Sequence, residues 1–269
     1  MEVFTIFLSS LIAVISPLGL VVDSVVANQL RSQVKSVEKL AVRVDNTPSY
    51  QPIAGKIDRI RIASRGVEVI ENLRIDTLDL ETDPIDINIS KIQNLEGIKS
   101  IQSSLNKPFQ GGIRLVIKEQ DLNLALEAYS IREQLQALLD TVLPPEAPSF
   151  NILKLQLNFM AENRLALEIE LEQPGEEGEP PIELAIAAEV GFEIDQGKNI
   201  KLKDLSAIIN DRKISSRFAN ILLAGISDRL SLDIFADQGF LVRILQVNMD
   251  ENTLDIAAFF RLDTVQDNQ

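Results

Sequence analysis

Apolar residues alternate with polar residues along about ten segments of the chain, and this pattern constrains the fold more than any other feature. Between Ile182 and Phe192, for example, an apolar residue stands at every second position. Successive side chains of a β-strand point to opposite faces of its sheet. Each alternating segment is therefore predicted to be a strand with one apolar and one polar face.

Turn-forming residues connect these segments, and helical spacing is confined to a few places. Gly111-Gly112 precedes one predicted strand, and Met249–Asn252 separates the last two. Strands joined by short turns pair antiparallel, and helices grouped between blocks of strands indicate an α+β fold. Helices are predicted at about Val22–Ser36, Asp121–Tyr129, Ser130–Val142 and Ser215–Leu232.

The N-terminal residues 1–22 form a hydrophobic segment, and Val3–Val22 contains no charged residue. As a helix, this stretch would just span a hydrocarbon core of about 30 Å. A membrane anchor is the favoured interpretation, although Pro17 would kink such a helix. A cleaved signal, whose usual basic flank is missing here, and a buried core helix stay open as alternatives. Residues 23–269 are predicted to form a single domain with two similar strand-helix blocks, about 23–148 and 149–269.

The composition excludes several classes of function. The chain has a formal net charge of −14 and contains no histidine and no cysteine. Nucleic acid is therefore not expected as the main partner, and zinc sites, thiolate catalysis and Ser-His catalysis are excluded. We predict a protein that is not an enzyme and needs no cofactor and no metal. The carboxylates between Asp76 and Asp86 alternate with apolar residues and are interpreted as a polar strand face.

One region is basic although the whole chain is acidic. Between Arg31 and Arg65, eight basic residues stand against three acidic ones, a local balance of +5. Basic side chains near a membrane are attracted to anionic lipids. Four of these basic residues recur at four-residue intervals, namely Arg31, Lys35, Lys39 and Arg43. They are predicted to contact lipid headgroups or the membrane surface. The alternative is that they form the solvated edge of a helix.

The predicted helices are too few to cover the apolar faces of about ten strands. The sheet must then curl on itself, pack on a second sheet, or leave a concavity that another apolar molecule fills. Acyl chains suit such a space, whereas the plainer alternative is an ordinary core. The predicted groove residues are Ile75, Leu78, Leu80, Leu115, Ile117, Leu155, Leu157, Leu167 and Ile169.

Three segments, Ile15–Asp23, Gly55–Ile62 and Gly112–Leu126, resemble the LmeA-like bacterial phospholipid-binding family, and the resemblance extends from about Ser16 to Leu262. It implies a TULIP-like fold, in which a strongly curved antiparallel β-sheet wraps amphipathic helices around a lipid tunnel. It also implies phospholipid binding in the cell envelope. Founding members look like lipoproteins with a lipobox cysteine, and this chain has no cysteine, so a lipid anchor is not carried over.

The sequence therefore predicts a membrane-tethered protein of the bacterial cell envelope that binds phospholipid. Whether it transfers or stores lipid, and whether its body lies on the periplasmic or the cytoplasmic side, stays open. The alternative is a membrane-anchored scaffold that binds other envelope proteins. An enzyme of unrecognised type is the third interpretation, disfavoured by the missing histidine and cysteine.

Overall fold

The structure is a computed structural model that describes most of the chain between Asp23 and Thr264. The predicted N-terminal anchor and most of the helix predicted between Ser215 and Leu232 lie outside the described residues. Within the described part of the chain, no helix is long and apolar enough to cross a membrane. The described residues are 23–48, 51–70, 72–94, 97–142, 148–175, 180–215, 217, 219, 223, 227 and 230–264.

The chain is built mainly from antiparallel strands with a few helices between them. The helices are α1 (Asp23–Gln33), α2 (Gly97–Ser104), α3 (Glu119–Glu127) and α4 (Tyr129–Val142). The strands are β1 (Ser36–Asp45), β2 (Lys56–Ile57), β3 (Arg59–Ile70), β4 (Leu73–Thr82), β5 (Ile85–Asp86), β6 (Phe109–Lys118), β7 (Asn151–Met160), β8 (Arg164–Gln173), β9 (Ile182–Asp195), β10 (Asn199–Ile209), β11 (Arg212–Lys213), β12 (Phe240–Met249) and β13 (Thr253–Leu262). Short 3-10 helices lie at Gln51–Ala54, Ile89–Asn94 and Leu232–Gln238.

Six strands form an open sheet in the order β1-β3-β4-β6-β13-β12, and every neighbouring pair is antiparallel. The terminal hairpin of β12 and β13 pairs with β6 along its whole length, from Thr253 opposite Lys118 to Leu262 opposite Phe109. The end of the chain therefore completes the sheet that the first predicted block begins.

The main hydrophobic core covers one face of this six-stranded sheet. Ile60 of β3 is fully buried, and α1 and α2 contribute Leu30 and Ile101 to the same cluster. The rings of Phe109 and Phe260 meet in it with their centroids 5.4 Å apart. Burying a large aliphatic or aromatic side chain stabilises a fold by about 1.5–3 kcal/mol, so this cluster supplies much of the stability of the sheet.

The other sheet has five strands in the order β11-β10-β9-β8-β7. Two of its turns meet the outer edge of β12 in the six-stranded sheet. The backbone amide of Ile244 donates to the carbonyl of Gly197 at 2.7 Å, and the amide of Met249 donates to Asn163 Oδ1 at 2.9 Å. These bonds connect the two sheets at one end of the five-stranded sheet.

Helices α3 and α4 cover the free edge of β7. Asn123 of α3 donates to the carbonyl of Leu157 at 2.7 Å and accepts from the amide of the same residue at 2.8 Å. Gln136 of α4 accepts from the amide of Ile152 and donates to the carbonyl of Phe150. An uncovered edge strand can pair with another chain and aggregate, so these side chains take the place of a neighbouring strand.

Replacing Asn123 by leucine is expected to lower the free energy of unfolding by about 1–3 kcal/mol, because the amide and the carbonyl of Leu157 would both lose their partner. Urea unfolding followed by circular dichroism measures this loss. Asn123→Asp retains the acceptor only and should give an intermediate loss. Gln120→Leu, at an exposed position of the same helix, is the matched control and should change stability by less than about 0.5 kcal/mol. Equal losses in the two leucine variants would contradict this role.

The predicted α+β class is confirmed, and most predicted strands are present. The first helix ends at Gln33 and β1 begins at Ser36, so the helix predicted to continue to Ser36 is too long. The strand predicted at Ile85–Ile89 is reduced to β5 and a 3-10 helix, and α2 was not predicted. The curvature of a sheet around helices stays a prediction.

Candidate functional site

The five-stranded sheet has one face composed almost entirely of aliphatic side chains. Register places these side chains in rows that run across the strands. One row joins Leu155, Ile169 and Ile186, and the next joins Leu157 and Leu167 with alanines of β9 and β10. The sequence produces this face because apolar residues stand at every second position of four neighbouring strands.

This aliphatic face is only partly covered in the described structure. Phe159, Leu171 and Ala207 are buried, but no residue of β7 to β11 belongs to the main core cluster. Large aliphatic faces of this kind, when left accessible, mark binding sites for apolar partners. The half-buried members of the face include Leu155, Leu157, Leu165, Leu167, Ile169, Leu184, Ile186, Ala188 and Val190.

Two small side chains stand opposite each other near the middle of this face. Ala188 of β9 lies directly opposite Ala207 of β10, and Leu167 lies opposite Ala188 on its other side. Ile186 and Val190 precede and follow Ala188 on the same face of β9. Because alanine has no side-chain atom beyond Cβ, the layer of side chains is thinner here than at the surrounding leucine, isoleucine and valine, and we call this place the depression. The pairing of these two alanines was not predicted, although a small residue within an alternating strand is visible in the sequence.

The nine predicted groove residues fall into separate groups. Leu155 lies opposite Ile169 and Leu157 lies opposite Leu167, so these four form one contiguous patch on the five-stranded sheet, and all are half-buried. The other five belong to the six-stranded sheet: Ile75, Leu78, Leu80, Leu115 and Ile117.

Four of those five share one face of the six-stranded sheet. Leu78 lies opposite Leu115, and Ile117 stands two residues further along the same strand. Leu80 is only 4% exposed and belongs to the core cluster. Ile75 is an odd number of residues from Leu78 and Leu80, and strand alternation therefore places it on the opposite face.

The four predicted headgroup residues are all exposed, in different elements. Arg31 lies on α1, Lys35 follows that helix, and Lys39 and Arg43 lie on β1. Arg31 and Lys35 were predicted to lie one helical turn apart, and that interpretation is wrong because the helix ends at Gln33. An even spacing also keeps residues on one face of a strand, so Lys39 and Arg43 still share a face.

Ionisable groups in the described structure are held mainly in ion pairs. The guanidinium of Arg74 bonds to Glu38 and to the buried Asp121 of α3, both at 2.8 Å, and these bonds raise the pKa of Arg74. Lys118 Nζ lies 2.6 Å from Asp76, and this contact lowers the pKa of that carboxyl. Both shifts stabilise the charged form, which is typical of structural ion pairs.

Among the described residues, no group of three or more carboxylates is placed to hold a metal ion. Asp79 and Glu81 lie on the polar face of β4, where Arg65 and Arg59 pair with them. Asp83 accepts from Gln110, and Asp86 accepts from Asn106.

An antiparallel α+β protein with an incompletely covered aliphatic sheet face belongs structurally with proteins that bind apolar ligands. The comparison with family models agrees with this class. A model described as LmeA-like phospholipid-binding matches residues 13–259, and the chain belongs to this family. The family is a lipid-binding family and not a known enzyme family. Comparison with curated proteins gave no match.

Proposed function

We propose that this protein binds the acyl chains of phospholipids on the aliphatic face of its five-stranded sheet. The observation that carries the proposal is the incomplete cover of that face, where aliphatic side chains of three neighbouring strands stay half-buried. Burying one methylene group is worth about 0.8 kcal/mol. An acyl chain lying across several rows would therefore gain several kcal/mol without any directional contact.

The groove residues of the five-stranded sheet are Leu155, Leu157, Leu167 and Ile169, with the depression at Ala188 between larger neighbours. Leu78, Leu115 and Ile117 extend the aliphatic surface on the six-stranded sheet, and Leu80 supports them from the core. Binding of this kind needs no catalytic group, which fits a chain without histidine and cysteine. We propose no enzymatic step.

Membrane tethering is the second part of the proposal. The uncharged stretch Val3–Val22 would hold the protein at a membrane of the bacterial cell envelope, where bound phospholipid is received or delivered. Arg31, Lys35, Lys39 and Arg43 follow this stretch in the sequence and are exposed. They would contact anionic headgroups, each worth about 1 kcal/mol near a charged surface.

Native mass spectrometry of protein purified without detergent tests the proposal. The expected spectrum contains the chain with an added phospholipid mass, which is released on collisional activation. Lipid extracted from the same preparation should contain phospholipid in a fixed ratio to protein. A bare chain mass together with a stable envelope-protein partner would favour the scaffold function instead.

A further inference from the structure

The polar face of the six-stranded sheet carries seven of the thirteen arginines of the described chain in a single array. Strand alternation and register place nine basic side chains on it, against the four carboxylates Asp45, Asp79, Glu81 and Asp255. We call this surface the basic sheet face. Its basic residues are Lys39, Arg43, Arg59, Arg61, Arg65, Arg114, Lys118, Arg243 and Arg261.

The charge of the basic sheet face is opposite to that of the rest of the protein. Nine basic and four acidic residues give a balance of +5 in a chain whose net charge is −14. Lys118, Arg243 and Arg261 reach the carboxylates Asp76, Asp233 and Asp263 at the rim, and including those three acids still leaves +2.

The polar face of the five-stranded sheet provides a direct comparison. Register places seven acidic residues on it against the five basic residues Lys154, Arg164, Lys201, Lys203 and Lys213, a balance of −2. Two polar sheet faces in one protein therefore differ in sign. The array of arginines is a local feature of the six-stranded sheet and not a general property of the surface.

The basic sheet face is open in the described structure. Ala41, Ala63 and Gly112 are exposed on it, and they form the floor of a trough of about 520 Å³. Arg43, which is 69% exposed, and Arg114, which is 50% exposed, stand at its sides. Small residues on the floor leave the guanidinium groups as the most prominent groups of the surface.

The position of α1 connects this face with the predicted membrane anchor. The carboxylate of Asp23, the first residue of α1, accepts a hydrogen bond from the backbone amide of Val44 at 2.9 Å. Val44 stands between Arg43 and Asp45 at the free edge of β1. The uncharged stretch Val3–Val22 ends one residue before Asp23, so the described chain begins at the edge of the basic sheet face.

We propose that the basic sheet face docks this protein on the surface of an anionic phospholipid bilayer. This inference rests on the membrane tethering proposed above, and it adds which surface meets the bilayer. Guanidinium groups bind phosphate in the same forked geometry as carboxylate. Exposed ion pairs contribute little to stability, so arginines can exchange a carboxylate partner for a lipid phosphate. An acidic protein would otherwise be repelled by such a membrane, and only a face of opposite sign permits a defined orientation.

Vesicle flotation of the full chain tests the docking surface. Vesicles contain either phosphatidylcholine alone or equal parts of phosphatidylglycerol and phosphatidylcholine, and the ratio of binding to the two cancels any contribution of the hydrophobic segment. In the variant with Arg59, Arg61, Arg65 and Arg114 replaced by glutamine, the preference for anionic vesicles is expected to fall by about tenfold or more. The preference of this variant for anionic vesicles should also depend less on salt concentration, because fewer charges are screened.

Matched variants separate the proposal from a general charge effect. Replacing Lys154, Arg164, Lys201 and Lys203 by glutamine makes the same change in net charge on the other sheet and should leave the preference unchanged. Arg→Lys replacements at the four positions keep the charge and should retain most of the preference, which also shows that the face tolerates substitution.

The docking inference is wrong if the parent protein shows no preference for anionic vesicles, or if the control variant loses as much of this preference as the glutamine variant. It is also wrong if the glutamine substitutions abolish association of the protein with itself and leave vesicle binding unchanged. Native mass spectrometry of the glutamine variant keeps the two proposals distinguishable. If it carries phospholipid but lacks the vesicle preference, acyl-chain binding and docking are separate and both are supported. If the parent protein carries no lipid but still prefers anionic vesicles, only the acyl-chain proposal fails.

Discussion

Replacing Gly111 by alanine is expected to lower the free energy of unfolding by about 3 kcal/mol, as overpacking in a rigid site does. A Cβ at this position would lie 2.3 Å from the backbone carbonyl oxygen of Glu81 and 3.0 Å from the Phe260 ring. The carbonyl belongs to β4, the strand paired with β6 on one side, and Phe260 belongs to β13 on the other. Neither neighbour is the free end of a flexible side chain, so the central strands of the six-stranded sheet would have to move apart.

The adjacent glycine is an unusually close control. A Cβ at Gly112 meets no atom within 4 Å, because its side of the strand is the open basic sheet face. Gly112→Ala should therefore be neutral or stabilising by about 0.5 kcal/mol, through the smaller conformational freedom of alanine in the unfolded chain. Urea unfolding of the two variants under identical conditions gives both values. A loss at Gly112 as large as the loss at Gly111 would show that strand propensity, and not the close approach, decides the result.

The strands could be predicted from the sequence because burial acts on every second residue. Leu165, Leu167 and Ile169 show the pattern, and they lie on one face of β8, opposite apolar residues of β7. The basic residues Lys39 and Arg43 follow the same logic, because their even spacing places them together on one face of β1. Local periodicity therefore determines which side chains share a face.

Pairing between distant segments could not be predicted in the same way. Nothing in Thr253–Leu262 indicates that β13 pairs with β6 and not with β10, because any strand of similar pattern offers the same hydrogen bonds. The depression at Ala188 and Ala207 likewise depends on the register of β9 with β10, which a bulge between Lys203 and Ser206 shifts. Ile75 is a different case: its odd distance from Leu78 alone showed that both could not line one face of a strand.

The arginines of the basic sheet face could be predicted only in part, because they lie on several strands that are distant in the sequence. Arg59, Arg61 and Arg65 stand at even intervals and would be expected on one face of β3 from sequence alone. Arg114 lies on another strand, and its bond to Asp255 at 2.7 Å joins residues 141 positions apart in the chain. Such a surface becomes visible only when the order of strands is known, because no local pattern records which strands are neighbours.

Replacing Ala188 by leucine is expected to weaken the affinity for phospholipid by about tenfold and so to lower the fraction of protein that carries lipid. The larger side chain would fill the depression opposite Ala207 and take the space of about two methylene groups of an acyl chain, each worth about 0.8 kcal/mol. The added side chain is itself apolar and would cover part of the same face, so the fold should keep its stability while lipid is lost. Native mass spectrometry gives the lipid-bound fraction, and thermal unfolding gives the stability.

Ala187→Leu is the matched control for this prediction, because the two alanines are neighbours on β9 and strand alternation points them to opposite faces. Ala187 is exposed on the polar face, opposite Glu168 and Ile208. The same three carbon atoms added there should leave the lipid-bound fraction unchanged. If both variants lose lipid equally, the effect comes from the strand and not from the aliphatic face. If neither loses lipid, acyl chains do not occupy the depression, and the binding surface must be sought on Leu78, Leu115 and Ile117 of the six-stranded sheet.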